Sequence, residues 1–200
     1  MPNATILLAD DDRLVLVTLA KGLENAGYKV LQAASARESI QLCKEHIPDL
    51  AIFDVRMPEM TGLDAADTVF QECSIPFIML SAYNEADIVH KAIKQGALCY
   101  LVKPIDVEQL IPAIESSLQR ARDIRALISS EQNLNTALTA RRETSTAIGI
   151  LMERYHLTSE QAFEMLRSHA RSKRIKVADL AHQLVTATEN INIFFDSKSL

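Results

Sequence analysis

Short apolar runs alternate with amphipathic segments through the first part of the chain. Continuous apolar runs bounded by Asp, Gly or Pro are typical of strands that are buried on both faces of a parallel sheet. Such runs predict strands at 5–9, 28–33, 50–54, 76–80 and 98–102. The amphipathic segments predict helices at 13–26, 36–46, 63–72, 85–95 and 106–120. This strict alternation favours an α/β fold, a doubly wound parallel five-stranded sheet with helices on both sides.

Beyond residue 106 the pattern becomes wholly helical. No further strand-like run occurs there, and Gly149 is the only glycine. Apolar residues recur at helical spacing over 106–140, which predicts one long helix or two abutting helices. A coiled coil and a locally packed helix both stay open, because Arg125, Gln132 and Asn135 interrupt a strict heptad.

The segment 141–188 predicts a small all-α domain of three short helices. The stretch LTSEQAF begins the second helix, with Thr158 or Ser159 as its N-cap and Gln161 as a capping-box partner if Thr158 caps. A third helix fits 177–188. We expect His169 to be partly buried and four large side chains to lie in the core: Met152, Tyr155, Phe163 and Met165. The remaining tail, 189–200, could dock onto the protein or stay loose.

The net charge of −5 is unevenly distributed along the chain. Residues 1–115 contain nine basic and seventeen acidic residues, whereas residues 116–200 contain twelve basic and nine acidic ones. A basic C-terminal part favours a polyanionic partner, although charges on solvated faces would give the same composition.

Cysteine usage and apolar run lengths place the protein in a broad class. Cys43, Cys73 and Cys99 have the spacing of neither a disulfide framework nor a metal site, so we expect reduced thiols. The N-terminus lacks the basic and apolar regions of a signal peptide. No run reaches the roughly 18 apolar residues of a membrane span. We therefore predict a soluble, cytoplasmic protein without a membrane partner.

Polar residues follow four of the five predicted strands. Strand one ends at Asp10, Asp11 and Asp12, and the third, fourth and fifth strands end at Asp54, Ser81 and Lys103. Because the carboxyl ends of parallel strands meet at one edge, we expect these groups to converge there. Crowded carboxylates repel each other unless a cation intervenes, and Mg²⁺ prefers oxygen ligands. Beside such an ion, Asp54 could accept a phosphoryl group, with Lys103 and Ser81 contacting its oxygens.

Each of these residues also has an ordinary structural explanation. Asp10 to Asp12 could cap the first helix, Asp54 could be a turn residue, Ser81 another N-cap and Lys103 a surface charge. The coincidence of all of them at one edge favours the phosphoacceptor interpretation.

The motifs LLADDD, FDVRMPEMTG, MLSA and YLVKP together resemble the receiver domain of two-component response regulators over about residues 3–118. The resemblance implies a flavodoxin-like sheet in the order 2-1-3-4-5 and phosphorylation of Asp54 by a sensor histidine kinase. It implies that Mg²⁺ is held by Asp10, Asp11, Asp54 and the main-chain oxygen of Arg56.

The same resemblance implies a switch. Ser81 and Tyr100 would be the switch pair, although Tyr100 could instead be an ordinary strand aromatic with an exposed hydroxyl. Lys103 would contact the phosphoryl group, and a cis peptide would precede Pro104. The surface formed by about 84–118 would then change and favour self-association. We place the receiver domain at 3–120 and a helical linker, a coiled-coil candidate, at 121–138.

The C-terminal half resembles the ANTAR domain, the RNA-binding output module of transcription antitermination regulators, over 139–188. The matching features are Arg141-Arg142, AIGILM, LTSEQAFEMLR, Ala170 and KVADLA. The family commonly has Lys before the glycine of the first ANTAR helix, where this chain has Ile148. We select eight candidates for RNA phosphate contact: Arg141, Arg142, Arg154, Arg167, Arg171, Lys173, Arg174 and Lys176.

The sequence therefore predicts a phosphorylation-controlled regulator that dimerises and binds a stem-loop leader RNA to promote antitermination. Single-stranded loops are the expected RNA target, since side chains cannot read the deep major groove of A-form RNA. The alternative is a DNA-binding response-regulator transcription factor, because short basic helices also form helix-turn-helix motifs. A protein-interaction module is a third hypothesis. An enzyme is least favoured, since no nucleophile–base pair is visible apart from the acceptor chemistry at Asp54.

Overall fold

The computed structural model describes residues 4–82 and 86–196, with side chains described as far as residue 190. The chain divides into two compact units, residues 1–125 and 126–200. No helix within the described ranges is both long enough and apolar enough to cross a membrane.

Five parallel strands of the first unit form one sheet within the described residues. Their order is β2-β1-β3-β4-β5, which confirms the predicted flavodoxin-like topology. The strands are β1 (Thr5–Ala9), β2 (Lys29–Ala33), β3 (Leu50–Asp54), β4 (Phe77–Ser81) and β5 (Cys99–Val102). The helices between them are α1 (Arg13–Asn25), α2 (Ala36–His46), α3 (Gly62–Cys73) and α4 (Ala86–Lys94). The predicted fourth helix began at residue 85, which lies outside the described residues.

The central strands are apolar at all but their end positions, because helices cover both faces of the sheet. Alternate residues of a strand point to opposite faces. Leu7 and Phe53 accordingly belong to one buried cluster, and Ile6 and Ile52 belong to the other. Buried residues of α2, α3 and α4 complete the first cluster, and those of α1 together with Leu110 and neighbouring residues complete the second. Covering on two faces explains why these strands appear in the sequence as unbroken apolar runs.

A single helix, α5 (Val107–Tyr155), confirms the alternative of one long helix over 106–140. It runs for 49 residues and includes the first of the three short helices expected in 141–188. No Gly or Pro occurs over 113–148 to end it, and Gly149 alone costs only about 1 kcal/mol in a helix interior. The helix ends before His156, whose φ of 54° is left-handed.

The second unit packs the end of α5 against α6 (Ser159–Lys173) and α7 (Val177–Asp196). The capping box of Thr158 and Gln161 is present at the start of α6, as predicted. The third helix extends past the expected end at residue 188 as far as Asp196. Residues 197–200 of the predicted tail, and the side chains after residue 190, lie outside the described part.

The core of the second unit differs in part from the one predicted. It consists of small and medium-sized residues: Ala147, Leu151, Ala162, Leu166, Ala170, Leu180 and Ala181. The four large side chains expected there are exposed by 36% to 53%: Met152, Tyr155, Phe163 and Met165. His169, expected to be partly buried, is exposed as well. These predictions were wrong because the helices meet at alanines, which allow a close approach. The larger side chains therefore lie at the edge of the contact between the helices.

Candidate functional site

Strand ends bring the predicted acidic and polar residues to one edge of the sheet. Asp54 is the last residue of β3 and Ser81 is the last residue of β4, while Asp10 and Lys103 directly follow β1 and β5. A cavity of about 260 Å³ opens at this edge, bordered by Asp10, Asp11, Asp12, Val15, Asp54, Arg56, Ser81, Ala82 and Lys103. The expected convergence therefore takes place.

The ammonium group of Lys103 joins the two buried carboxylates. Its Nζ lies 2.6 Å from Oδ2 of Asp10 and 2.5 Å from Oδ1 of Asp54. The remaining oxygens accept backbone hydrogen bonds, Asp10 Oδ1 from the N–H of Asp12 at 3.0 Å and Asp54 Oδ2 from that of Arg56 at 2.8 Å. Asp10 is fully buried and Asp54 is only 5% exposed. Carboxylates in such surroundings require compensation, and Lys103 supplies it.

Burial and charge act in opposite directions on these groups. Burial raises the pKa of Asp54 above its ordinary value, and the hydrogen bond and positive charge of Lys103 offset only part of that effect. Burial lowers the pKa of Lys103, but its hydrogen bonds to Asp10 and Asp54, together with the charges of both carboxylates, outweigh burial and raise the pKa overall. Lys103 therefore remains a cation at neutral pH.

The three consecutive aspartates after β1 take different positions. Asp12 is the N-cap of α1, and its Oδ1 accepts the backbone N–H of Leu14 at 2.9 Å. The capping explanation considered for all three therefore holds for Asp12. Asp10 forms an ion pair with Lys103, and Asp11 is an exposed residue at the border of the cavity.

The donor set at the cavity fits magnesium. Across the side chains described, those of residues 4–82 and 86–190, no three His, Cys, Asp or Glu converge as a metal site. Magnesium does not need such a cage, because it is usually bound through one or two carboxylates and retains several waters. Asp10, Asp11, Asp54 and Arg56 border one cavity and offer hard oxygen donors of the kind that Mg²⁺ prefers.

Ser81 and Tyr100 occupy neighbouring positions on adjacent strands. Ser81 is opposite Val102 in the β4–β5 register, and Tyr100 is opposite Met79. Because Ser81 and Met79 are two residues apart, the side chains of Ser81 and Tyr100 lie on the same face of the sheet. Ser81 is buried, and Tyr100 is half-buried against the cluster that contains Phe53 and Met79. The peptide bond between Lys103 and Pro104 is cis, as expected.

Sequence reasoning gave no role to Gly62, the first residue of α3. Its N–H donates a hydrogen bond to the carbonyl oxygen of Val55 at 3.0 Å, which folds the loop 56–61 back onto the end of β3. A Cβ atom at this position would lie 1.7 Å from the carbonyl oxygen of Asp54. Only glycine permits this approach. The motif FDVRMPEMTG contains the glycine, but a sequence does not show which backbone atoms it meets.

The eight basic candidates are all exposed in the second unit. Arg141, Arg142 and Arg154 lie on α5, Arg167, Arg171 and Lys173 lie on α6, and Arg174 and Lys176 lie between α6 and α7. Arg167 pairs with Glu164 at 3.1 Å, whereas the other seven form no ion pair with another described residue. Ile148, where the family commonly has Lys, is half-buried and packs against the helical core.

Comparisons with known proteins match the two parts of the chain to two different families. The family model of the response regulator receiver domain matches residues 6–115, and that of the ANTAR domain matches residues 132–185. The chain is 34% identical over 177 residues to the transcriptional regulatory protein PdtaR of Mycobacterium tuberculosis, a match covering 88% of this chain and 86% of PdtaR. It is also 34% identical over 125 residues to ZraR of Escherichia coli, which covers 62% of this chain and 28% of ZraR.

Solved receiver domains share the fold of the first unit. A CheY-like receiver domain protein from Methanospirillum hungatei is 27% identical, with a TM-score of 0.57 over 60% of this chain and 97% of that one. A receiver domain protein from Clostridium thermocellum is 30% identical, with a TM-score of 0.57 over 60% of this chain and 98% of that one. The chain belongs to the two-component response regulators that join a receiver domain to a C-terminal ANTAR domain.

Proposed function

We propose that this response regulator accepts a phosphoryl group on Asp54 from a sensor histidine kinase, dimerises, and binds a stem-loop leader RNA to promote transcription antitermination. We assign the receiver domain to 3–120, the linker to 121–138, the ANTAR domain to 139–188 and the tail to 189–200. The observation that carries the proposal is the buried pair of Asp10 and Asp54 around Lys103, beside an open cavity.

The geometry supports phosphoryl transfer to Asp54. In the proposed step a carboxylate oxygen of Asp54 attacks the phosphorus of a phosphohistidine, an O–P bond forms, the N–P bond breaks and imidazole leaves with the electron pair. Lys103 lies beside the attacking carboxylate, so its charge is available to the phosphoryl oxygens. A magnesium ion held by Asp10, Asp11, Asp54 and the main-chain oxygen of Arg56 would supply further neutralisation of phosphoryl charge.

Phosphorylation adds negative charge and strong hydrogen-bond acceptors at Asp54. Ser81 ends the neighbouring strand and borders the same cavity, so a shift of its hydroxyl towards the phosphoryl group requires little backbone movement. Tyr100 lies on the same sheet face and could rotate into the space that Ser81 leaves. The surface formed by α4, β5 and the beginning of α5 would then change.

An apolar stripe on α5 supports dimerisation. Its members are exposed by 43% to 71%, which is unfavourable for large apolar side chains in an isolated helix: Ile124, Leu127, Ile128, Leu134 and Leu138. Four of them, at 124, 127, 134 and 138, follow the spacing of a coiled-coil seam, and Glu131 interrupts the series. A second copy of the chain would cover this stripe.

Exposed cations support an RNA partner for the helical domain. Seven of the eight candidate arginines and lysines form no ion pair with another described residue, so their charges are available to phosphate groups. Dimerisation places two such domains at high effective concentration, so two weak contacts with one leader reinforce each other. Control of dimerisation thereby becomes control of RNA binding.

A single set of binding measurements tests the proposal. The full chain is titrated with a two-stem-loop leader RNA and with duplex DNA at equal salt, with and without Mg²⁺ and a small phosphodonor, and sedimentation is recorded on the same samples. We expect the phosphodonor to produce dimers and to raise RNA affinity in the wild type, and to change neither in Asp54→Asn. Asp67→Asn is the matched control, since Asp67 is a half-buried carboxylate of α3 away from the cavity.

Two outcomes would contradict the proposal. A phosphodonor response that persists in Asp54→Asn would remove Asp54 from the switch. Tighter binding to duplex DNA than to RNA would favour the DNA-binding alternative instead.

A further inference from the structure

The ANTAR domain contains a cavity of about 420 Å³ where the end of α5, α6 and α7 meet. Its apolar floor includes the buried residues Leu151, Leu166 and Leu180. Its border carries exposed side chains with flat, polarisable or polar groups: Tyr155, Met165, His169, Lys173 and Gln183. The volume lies in the range of small-ligand pockets.

Tyr155 is the least expected member of this border. It was predicted to lie in the core, yet it is 53% exposed at the last position of α5, with its ring beside the cavity. Met165 is 43% exposed on the same border. Exposed apolar groups that lie together at the border of a groove are typical of interaction and ligand-binding sites. A ligand that is flat and partly apolar would fit this cavity.

The charge near the cavity indicates the chemical class of the ligand. Between Met165 and Ala178 the chain has five Lys or Arg residues, one His and no Asp or Glu. Lys173 borders the cavity directly, and Arg171, Arg174 and Lys176 are close to it in sequence. Arg171, Lys173, Arg174 and Lys176 form no ion pair with another described residue, so their charges are available to an anion. An apolar slot in a cationic surface matches a nucleotide, whose base is flat and whose phosphate is negative.

We propose that this cavity receives one unstacked base from the single-stranded loop of the RNA, stacked on Tyr155 with its phosphate beside Lys173. The inference rests on the proposed RNA-binding function and goes further, since it names the site that contacts a base. Proteins that recognise RNA loops stack splayed-out bases on aromatic side chains and read their edges with polar groups. Gln183, with an amide that both donates and accepts, is positioned on the border to read the base edge.

The test uses the full-length protein and a pool of RNA hairpins with a randomised single-stranded loop. The hairpin selected by the wild type is then measured with Tyr155→Leu, Tyr155→Phe and Phe163→Leu. Phe163 is the matched control, because it is an exposed aromatic of α6 outside the cavity. Loss of one base–aromatic stack weakens binding by about tenfold or more. We expect that loss in Tyr155→Leu, with the salt slope unchanged, and affinities close to wild type in Tyr155→Phe and Phe163→Leu.

A second arm replaces each loop nucleotide in turn by an abasic one. At one position the abasic RNA should lose the same factor with the wild type and lose nothing further with Tyr155→Leu, since both changes remove the same stack. Independent, additive losses would overturn the base site, and so would wild-type affinity in Tyr155→Leu. Impaired dimerisation of Tyr155→Leu with unchanged RNA affinity would assign the cavity to a second copy of the chain. Failure of the wild type to retain any hairpin would overturn the proposed function itself.

Discussion

The acidic site of the receiver domain and the basic surface of the ANTAR domain hold their charges in opposite ways. Asp10 and Asp54 are buried and share the ammonium group of Lys103, so three segments distant in the chain meet there. The basic residues of the helices are exposed, and most form no ion pair with a described residue. Fixed geometry therefore matters at the receiver site, whereas the proposed phosphate contacts of the helical surface depend on the number of charges.

This difference predicts how each region responds to change. A single atom added at the receiver site should abolish its activity, because the backbone has no space for it. Removal of a single cation from the helices should weaken RNA binding by the contribution of one phosphate contact and leave the other contacts intact.

The largest effect is expected from Gly62→Ala. The new Cβ would overlap the carbonyl of Asp54, so the end of β3 must shift and Asp54 must leave its position beside Lys103. We expect a loss of about 2 kcal/mol in the free energy of unfolding and an almost complete loss of phosphorylation by a small phosphodonor. Denaturant titration and electrophoresis that separates phosphorylated from unmodified protein measure the two quantities.

Gly149→Ala is the control for that change in the other domain. A Cβ atom on Gly149 meets nothing within 4 Å, so the substitution removes only the entropic cost of glycine in a helix. The free energy of unfolding should rise by about 0.5–1 kcal/mol. Equal behaviour of the two glycine variants would refute the contrast between a fixed site and a tolerant surface.

An intermediate effect is expected from Arg174→Ala. Arg174 is exposed between α6 and α7, and its loss would remove one phosphate contact. The slope of log affinity against log salt should fall by about one unit, similarly for different RNA sequences. Arg122→Ala, which removes an exposed arginine outside the ANTAR domain, should leave the slope unchanged. A sequence-selective loss in Arg174→Ala would show that Arg174 reads a base instead.

The smallest effect is expected at His182, which joins α7 to α5 through Glu143. Its Nδ1 lies 2.8 Å from Oε1 of Glu143, and this hydrogen bond, with the carboxylate charge, raises the pKa of His182. A raised pKa in the folded state stabilises the protein below the unfolded pKa of about 6.5, and that gain is lost as pH rises through the folded value. The Tm of the wild type should therefore exceed that of His182→Gln slightly near pH 6.

The two Tm values should converge at alkaline pH, where His182 is neutral in both the folded and the unfolded chain. The effect is small because the His182 side chain is 62% exposed to solvent. A difference in Tm between the wild type and His182→Gln that grows with pH would contradict an ion pair between His182 and Glu143.

The sequence was sufficient to predict the receiver fold and the convergence of its polar residues. Parallel strands place their carboxyl ends at one edge, so Asp10, Asp54, Ser81 and Lys103 could be brought together from strand order alone. The sequence could not show that Asp12 would be the N-cap of α1 while Asp10 pairs with Lys103. That choice depends on side-chain directions over a few residues.

The helical domain was predicted less well, for a physical reason. Helical periodicity marks an apolar face but does not tell which of its residues the neighbouring helix covers. Here Ala147, Ala162, Ala170 and Ala181 form the contact, and Tyr155 and Met165 remain at its border. The misplaced large residues are the ones that surround the proposed base site.

The most direct test of the account is to locate the phosphoryl group. The full chain is incubated with Mg²⁺ and a small phosphodonor, the acyl phosphate is reduced with borohydride to homoserine, and the modified position is identified by peptide mass spectrometry. The account predicts homoserine at residue 54 and at no other position, with none formed in Asp54→Asn. Homoserine at another aspartate, or no modification of a folded wild-type protein, would contradict it.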